Sequence, residues 1–158
     1  MTQAVETRAP GRGPATWLTD ERAVRFLRYA AAFYLVAWAV HTGDHLRRGT
    51  GVVTTEVLVL GYGAAVLQLA GVAAVFVRWR WAAAAAMAIG FPDAVGISAV
   101  HLLPHWSSFS DAFPGAHGTG VTGFSWFAAA IEILGAMAFG IAGAYASRVA
   151  GRSPDVAE

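Results

Sequence analysis

Two histidines and an aspartate lie close together at the end of a long apolar stretch. The segment AWAVHTGDHLRRG holds His41, Asp44 and His45, the only imidazole or carboxylate groups in the 18 positions between Arg28 and Arg47. Histidines four residues apart lie on one face of a helix and can bind one metal ion together, as they do in zinc-binding H-E-x-x-H helices. The spacing predicts a transition-metal site, in which Asp44 is either a ligand or the acceptor that orients an imidazole.

A second pair of histidines follows the third apolar stretch, in the segment HLLPH. Pro104 disfavours a helical conformation at the residue before it, so this pair does not share a regular helical turn, and His101 is the stronger candidate. The chain has no cysteine, which excludes thiolate ligands. The predicted ligands are His41, Asp44, His45, His101 and His105, and the candidate ions are Zn²⁺, Cu²⁺ and Fe²⁺. The sequence leaves open whether His117 joins them.

The composition indicates that a membrane surrounds these residues. Hydrophobic residues make up 56 % of the 158 residues and charged residues only 13 %, against about 25 % charged residues in a typical soluble domain. So few charges would not cover the surface of a soluble protein of this size. The formal net charge of +1 gives no reason to expect a nucleic-acid partner. The use of arginine alone as the basic residue, with abundant alanine, glycine and valine, is typical of a bacterial genome rich in GC.

Four apolar stretches are each long enough to cross a bilayer, which takes about 20 helical residues. We predict an all-α integral membrane four-helix bundle with spans at about 27–46, 57–77, 81–103 and 123–147. The transmembrane domain then covers residues 23–148, between an N-terminal tail (1–22) and a C-terminal tail (149–158), both polar.

The arginines predict the orientation of the bundle. Nine of the eleven lie on one side of the spans, and only Arg47 and Arg48 lie on the other. Because cytoplasmic segments are rich in basic residues, both termini are expected in the cytoplasm, with the protein in the inner (plasma) membrane. The first and third spans then both run outward. Their histidines are expected to meet at one depth, on the extracytoplasmic side.

Two acids interrupt the third and fourth spans near the middle of the membrane. An ionisable side chain at that depth is costly and is often functional, so Asp93 and Glu132 are the candidate catalytic or proton-carrying residues. Asp93 follows Pro92, which predicts a kink in the third helix and favours a functional role. Glu132 lies on a stripe of small residues that favours close helix packing. For Glu132 we therefore slightly favour a structural role over a functional one.

The two H-x-x-x-H spacings, at residues 41–45 and 101–105, resemble the histidine boxes of membrane fatty-acid hydroxylases and desaturases, which hold two irons. The chain departs from that pattern, since it has five histidines in all and no H-x-x-H-H box. The motifs are also expected on the extracytoplasmic side. We therefore assign the chain to no family on this basis.

Three functions are compatible with the sequence. The first is a metal-binding membrane protein. One version of it is a metalloenzyme that acts on a lipophilic small molecule in the bilayer. The second is a b-type haem protein with one axial histidine from each of the first and third helices. The third is a proton-coupled transporter subunit or accessory protein that uses Asp93 and Glu132, which predicts a homo-oligomer. The simplest alternative is a hydrogen-bonded network in which Asp44 pairs with Arg47 or Arg48.

Overall fold

The computed structural model describes residues 20–151, and the regular structure within them is helical throughout. Four helices follow one another: α1 (Glu21–Arg48), α2 (Thr55–Phe76), α3 (Ala82–Ile97) and α4 (Gly123–Ala150). A 3₁₀ turn (Thr50–Val52) precedes α2, and a π-helical turn (Ser98–Leu102) continues α3. All four helices, α3 together with its π-helical turn, are long and apolar enough to cross a membrane, which confirms the predicted all-helical fold with four candidate membrane spans. The remainder of each predicted tail lies outside the described residues.

Side-chain caps decide where three of the helices begin. The Asp20 carboxylate accepts hydrogen bonds from two backbone N–H groups of the first turn of α1, at 2.8 and 3.0 Å. Thr54 caps α2 in the same way, and Thr122 with Ser125 forms a capping box at the start of α4. A cap satisfies N–H groups that have no partner within the helix. Because of its cap, α1 begins at Glu21, six residues before the predicted apolar span.

Helix α4 packs against both α1 and α3 through its small residues. A Cβ atom placed on Gly90 of α3 would lie 2.5 Å from the Ala136 carbonyl oxygen. One placed on Gly143 would lie 2.6 Å from the Ala83 carbonyl oxygen. The predicted small-residue stripe is therefore the face on which α3 and α4 approach backbone to backbone. Helix α2 exposes large apolar side chains such as Val66 and Leu67, as expected for contact with lipid.

The helices alternate in direction and so define two ends of the bundle. At one end, which we call the cluster end, α1 and α3 finish and α2 and α4 begin, and the loop of residues 103–122 lies there. The other end, which we call the termini end, carries the start of α1, the turn of residues 77–81 and the finish of α4. The histidine-bearing segments of α1 and α3 therefore lie at the same end.

The third span ends where the sequence predicts a break. Helix α3 continues through Pro92 to Ile97, and the π-helical turn ends before Leu103, which has φ −80° and ψ 151°. This extended conformation is the one that a following proline favours. The backbone N–H groups of Asp111 and Phe113 donate to carbonyls of the π-helical turn, at 3.1 and 2.9 Å. The loop thereby satisfies carbonyl groups that the helix end leaves without a partner.

Candidate metal centre

Three imidazoles meet at the cluster end, two from α1 and one from the π-helical turn. The ring centroids of His41 and His45 are 4.8 Å apart, and those of His41 and His101 are also 4.8 Å apart. The third separation, between His45 and His101, is 5.4 Å. One potential ligand atom from each ring lies within 4.8 Å of the other two. The structure thus brings together the histidines of the first and third spans, as the sequence predicts.

On the Nδ1 side, each of the three rings faces an oxygen atom. The Nδ1 atom of His41 is hydrogen-bonded to the Glu132 carboxylate. The Nδ1 atom of His101 lies 3.1 Å from the carbonyl oxygen of Asp111. The Asp111 carboxylate lies 3.5 Å from His101 Nδ1 and 3.9 Å from His45 Nδ1. Since a carbonyl oxygen only accepts hydrogen bonds, His101 carries its proton on Nδ1 and keeps a lone pair on Nε2.

The Nε2 atoms are therefore the ones available to a metal. That of His41 is buried and has no hydrogen-bond partner among residues 20–151. Metal-binding histidines commonly place one ring nitrogen on the ion and donate the other N–H to a carboxylate or a carbonyl oxygen, which fixes the tautomer and the ring orientation. His41 and His101 have the second half of this arrangement in place, whereas the Nδ1 atom of His45 lies 3.9 Å from the Asp111 carboxylate, beyond hydrogen-bond distance.

One ion fits between the three rings once their ligand nitrogen atoms move closer together. Zinc–nitrogen bonds are about 2.0–2.1 Å long, so tetrahedral ligand nitrogens lie about 3.4 Å apart. The side chains of His41 and His101 are 7 % and 4 % exposed, whereas that of His45 is 32 % exposed. His45 is thus the ring with most freedom to adjust, and the cluster is open to the surroundings on its side.

Asp111 belongs to the candidate site although the sequence did not predict it. Arg48 donates two hydrogen bonds to its carboxylate, at 2.6 and 2.7 Å, and both side chains are buried. Burial opposes ionisation of Asp111, but the hydrogen bonds from Arg48 and the neighbouring positive charge outweigh it and hold the pKa of this carboxyl below its usual value. One signal was available, because Asp111 is the only acid in the loop of residues 103–122.

Asp44, the residue before His45, is paired with residues outside the cluster. It is completely buried and accepts hydrogen bonds from Arg47, at 2.8 and 3.0 Å, and from the Ser125 hydroxyl at 3.1 Å. This is the pairing with Arg47 that the simplest alternative predicts, and it fastens the end of α1 to the first turn of α4. Asp44 is not among the three residues whose ligand atoms converge.

The two remaining histidines lie apart from the cluster. His105 and His117 are both exposed in the loop of residues 103–122, and neither belongs to the converging group. The extended conformation at Leu103 explains the position of His105, because the chain has left the helix before reaching it. Of the five predicted ligands, the structure brings His41, His45 and His101 together.

The two mid-span acids have different surroundings. Glu132 is buried and is directed to His41, so it belongs to the cluster. Asp93 accepts a hydrogen bond from the Tyr34 hydroxyl and one from the Gln68 amide, both at 2.6 Å. These bonds join α1, α2 and α3 in the middle of the bundle.

Comparisons with protein families, with curated proteins and with solved structures find no match to this chain. The functional interpretation therefore depends on the geometry of the site.

Proposed function

We propose that this protein is a multi-pass membrane protein that holds one transition-metal ion with His41, His45 and His101. The observation that carries the proposal is the direction of the three rings. Their Nδ1 atoms face Glu132 or Asp111, and their Nε2 atoms are left for an ion. Nitrogen ligands of this kind suit Zn²⁺, Cu²⁺ and Fe²⁺.

Three histidines leave a fourth coordination position for water or substrate, which is the composition of catalytic rather than structural zinc sites. An ion held by the three histidines would act as a Lewis acid on the molecule at the fourth coordination position. We therefore propose zinc as the resident ion and hydrolytic or hydration chemistry on a small lipophilic molecule that enters on the exposed side of His45. In this proposal Glu132 and Asp111 position the ligands rather than touch the substrate.

The packing of the rings favours an ion over haem. Two axial histidines bind a haem iron from opposite faces of a wide, flat macrocycle. Here the rings of His41 and His101 contact each other directly, with an interplanar angle of 73°, and the centroid of the Phe113 ring lies 4.7 Å from that of His101. A porphyrin would require the end of the bundle to open, whereas a single ion requires only small side-chain rotations.

The surroundings of Asp93 favour a packing role over proton transport. Both of its carboxylate oxygens accept hydrogen bonds from side chains of other helices. Such bonds hold membrane helices together. We therefore assign Asp93 to helix association, and we place the cluster on the extracytoplasmic side because the arginines favour that orientation.

The proposed function is tested by the metal content of detergent-purified protein. After loading with Zn²⁺, Cu²⁺ or Fe²⁺ and dialysis, we expect the wild type to retain about one ion per chain for at least one of these metals. His41→Ala, His45→Ala and His101→Ala should each lose most of it, because two histidines do not complete the site. His105→Ala and His117→Ala are the matched controls, since both rings are exposed and outside the cluster.

Elemental analysis by mass spectrometry gives the ion-to-protein ratio, and circular dichroism shows whether each variant remains helical. The proposal is wrong if the wild type retains no ion after loading with each metal. It is equally wrong if the two control variants lose as much metal as the three cluster variants do.

A further inference from the structure

A second site lies at the termini end of the bundle, in a cavity between α1 and the last residue of α2. The cavity has a volume of about 370 Å³ and is lined by Arg25, Arg28, Tyr29, Ala32 and Phe76. Two arginines and two aromatic residues therefore share one cavity, far from the histidine cluster.

Of the two arginines of this cavity, one has no acidic partner within the part of the chain that the structure describes, and the other has an exposed one. Within residues 20–151 the Arg28 guanidinium makes no hydrogen bond, and its Nε atom is buried without a partner. Arg25 contacts Glu21 at 3.3 Å, and both side chains are more than half exposed. An exposed pair of this kind contributes little and is readily exchanged for another anion.

The depth of the cavity matches that of lipid headgroups. A hydrocarbon core about 30 Å thick corresponds to about 20 helical residues, so a span that ends near Arg47 begins near Arg28. Tyr29 and Phe76 are exposed beside the cavity, and aromatic side chains favour this interface. A phosphate would lie at the two guanidinium groups, and an acyl chain would follow Ala32 and Phe76 into the apolar region.

We infer that this cavity binds the headgroup of an anionic phospholipid, represented by phosphatidylglycerol. Guanidinium groups form paired, charge-assisted hydrogen bonds with phosphate oxygens, and basic pockets between membrane helices are known to bind anionic headgroups. The inference does not depend on the metal site, which lies at the opposite end.

The test measures which lipid the protein retains. Full-length protein is reconstituted in vesicles with equal amounts of phosphatidylglycerol and phosphatidylcholine of identical acyl chains, and the retained lipid is identified by native mass spectrometry. We expect the wild type to prefer phosphatidylglycerol, by about fivefold for each arginine. The double variant Arg25→Gln/Arg28→Gln should retain the two lipids equally, whereas Arg25→Lys/Arg28→Lys should keep part of the preference.

Arg22→Gln is the matched control, because Arg22 is an exposed arginine of the same helix that does not line the cavity. It should leave the preference unchanged. Adding inorganic phosphate should not displace the bound lipid if the acyl chain contributes, and displacement by phosphate would show that the site binds a free anion instead. Equal retention of both lipids by the wild type, or an unchanged preference in a correctly folded glutamine double variant, would overturn the inference.

Discussion

Asp111 connects the loop of residues 103–122 to the candidate metal centre. Its carboxylate faces His45 and His101, and its backbone carbonyl oxygen accepts a hydrogen bond from His101. Arg48 holds the carboxylate in place through two hydrogen bonds, and its guanidinium lies 5.4 Å from the centre of the Phe113 ring. The orientation of two proposed ligands thus depends on a residue outside the proposed ligand set.

We predict that Asp111→Asn weakens zinc binding by about 10- to 100-fold, the usual effect of changing an outer-shell partner of a ligating histidine. The substitution removes the carboxylate charge beside His101 and His45 and keeps the backbone carbonyl that accepts from His101. The asparagine amide also cannot accept both hydrogen bonds from Arg48 in the same way, so the loop should become less ordered. The dissociation constant for zinc, measured by competition with a chelator, tests this prediction.

The control for Asp111→Asn is Glu56→Gln, which removes an exposed carboxylate at the same end of the bundle. It should leave the affinity within about twofold of wild type, because a screened surface charge contributes little. An Asp111→Asn variant that binds zinc as tightly as wild type would show that this carboxylate does not position the histidines.

At the scale of elements, the contact between α3 and α4 fixes the position of His101 along the axis of the bundle. Gly90 meets backbone atoms of α4, with a hypothetical Cβ only 2.5 Å from the Ala136 oxygen and 2.7 Å from the Gly140 nitrogen. Backbone atoms cannot move aside as a flexible side chain can. The π-helical turn above this contact then carries His101 to the two rings of α1.

We predict that Gly90→Ala destabilises the bundle by about 1–3 kcal/mol, because the added methyl group forces the two helices apart. The same variant should lose metal affinity, since α3 carries one of the three ligands. Both effects can be measured in detergent, the first from the midpoint of unfolding and the second from zinc retention.

Gly96→Ala is a matched control on the same helix, because a Cβ there would meet no atom within 4 Å. It should leave both the midpoint and zinc retention near the wild-type values. Equal effects of the two substitutions would mean that loss of glycine flexibility, and not close helix contact, decides the result.

At the scale of the whole molecule, the orientation in the membrane decides which side the proposed metal centre faces. The distribution of arginines predicts that the cluster end faces outward. Since the chain has no cysteine, a single introduced cysteine reports its own location. Suitable positions are His117 at the cluster end and Trp79 at the termini end, both of which are exposed.

We predict that a membrane-impermeant maleimide labels His117→Cys in intact cells and labels Trp79→Cys only after the cells are permeabilised. Gel shifts of the labelled protein measure both. The reverse pattern would place the cluster in the cytoplasm and would exclude a site that opens to the outer leaflet.

Much of the fold follows from the sequence alone. Uninterrupted apolar stretches predict the four spans, because a polar backbone inside a membrane must form its hydrogen bonds within a helix. The H-x-x-x-H spacing places two histidines on one face, since that relation is local to α1. Pro104 predicts the end of the third span, because the effect of a proline on the residue before it is also local.

The partners of each site residue were decided only by the tertiary structure. Local spacing does not give the rotation of one helix against another or the path of a loop, and both determine which side chains meet. Glu132 therefore contacts His41, Asp44 reaches Ser125 of α4, and Asp111 reaches the histidines from a loop. Packing of small residues along α4 sets these rotations, and it depends on all the helices at once.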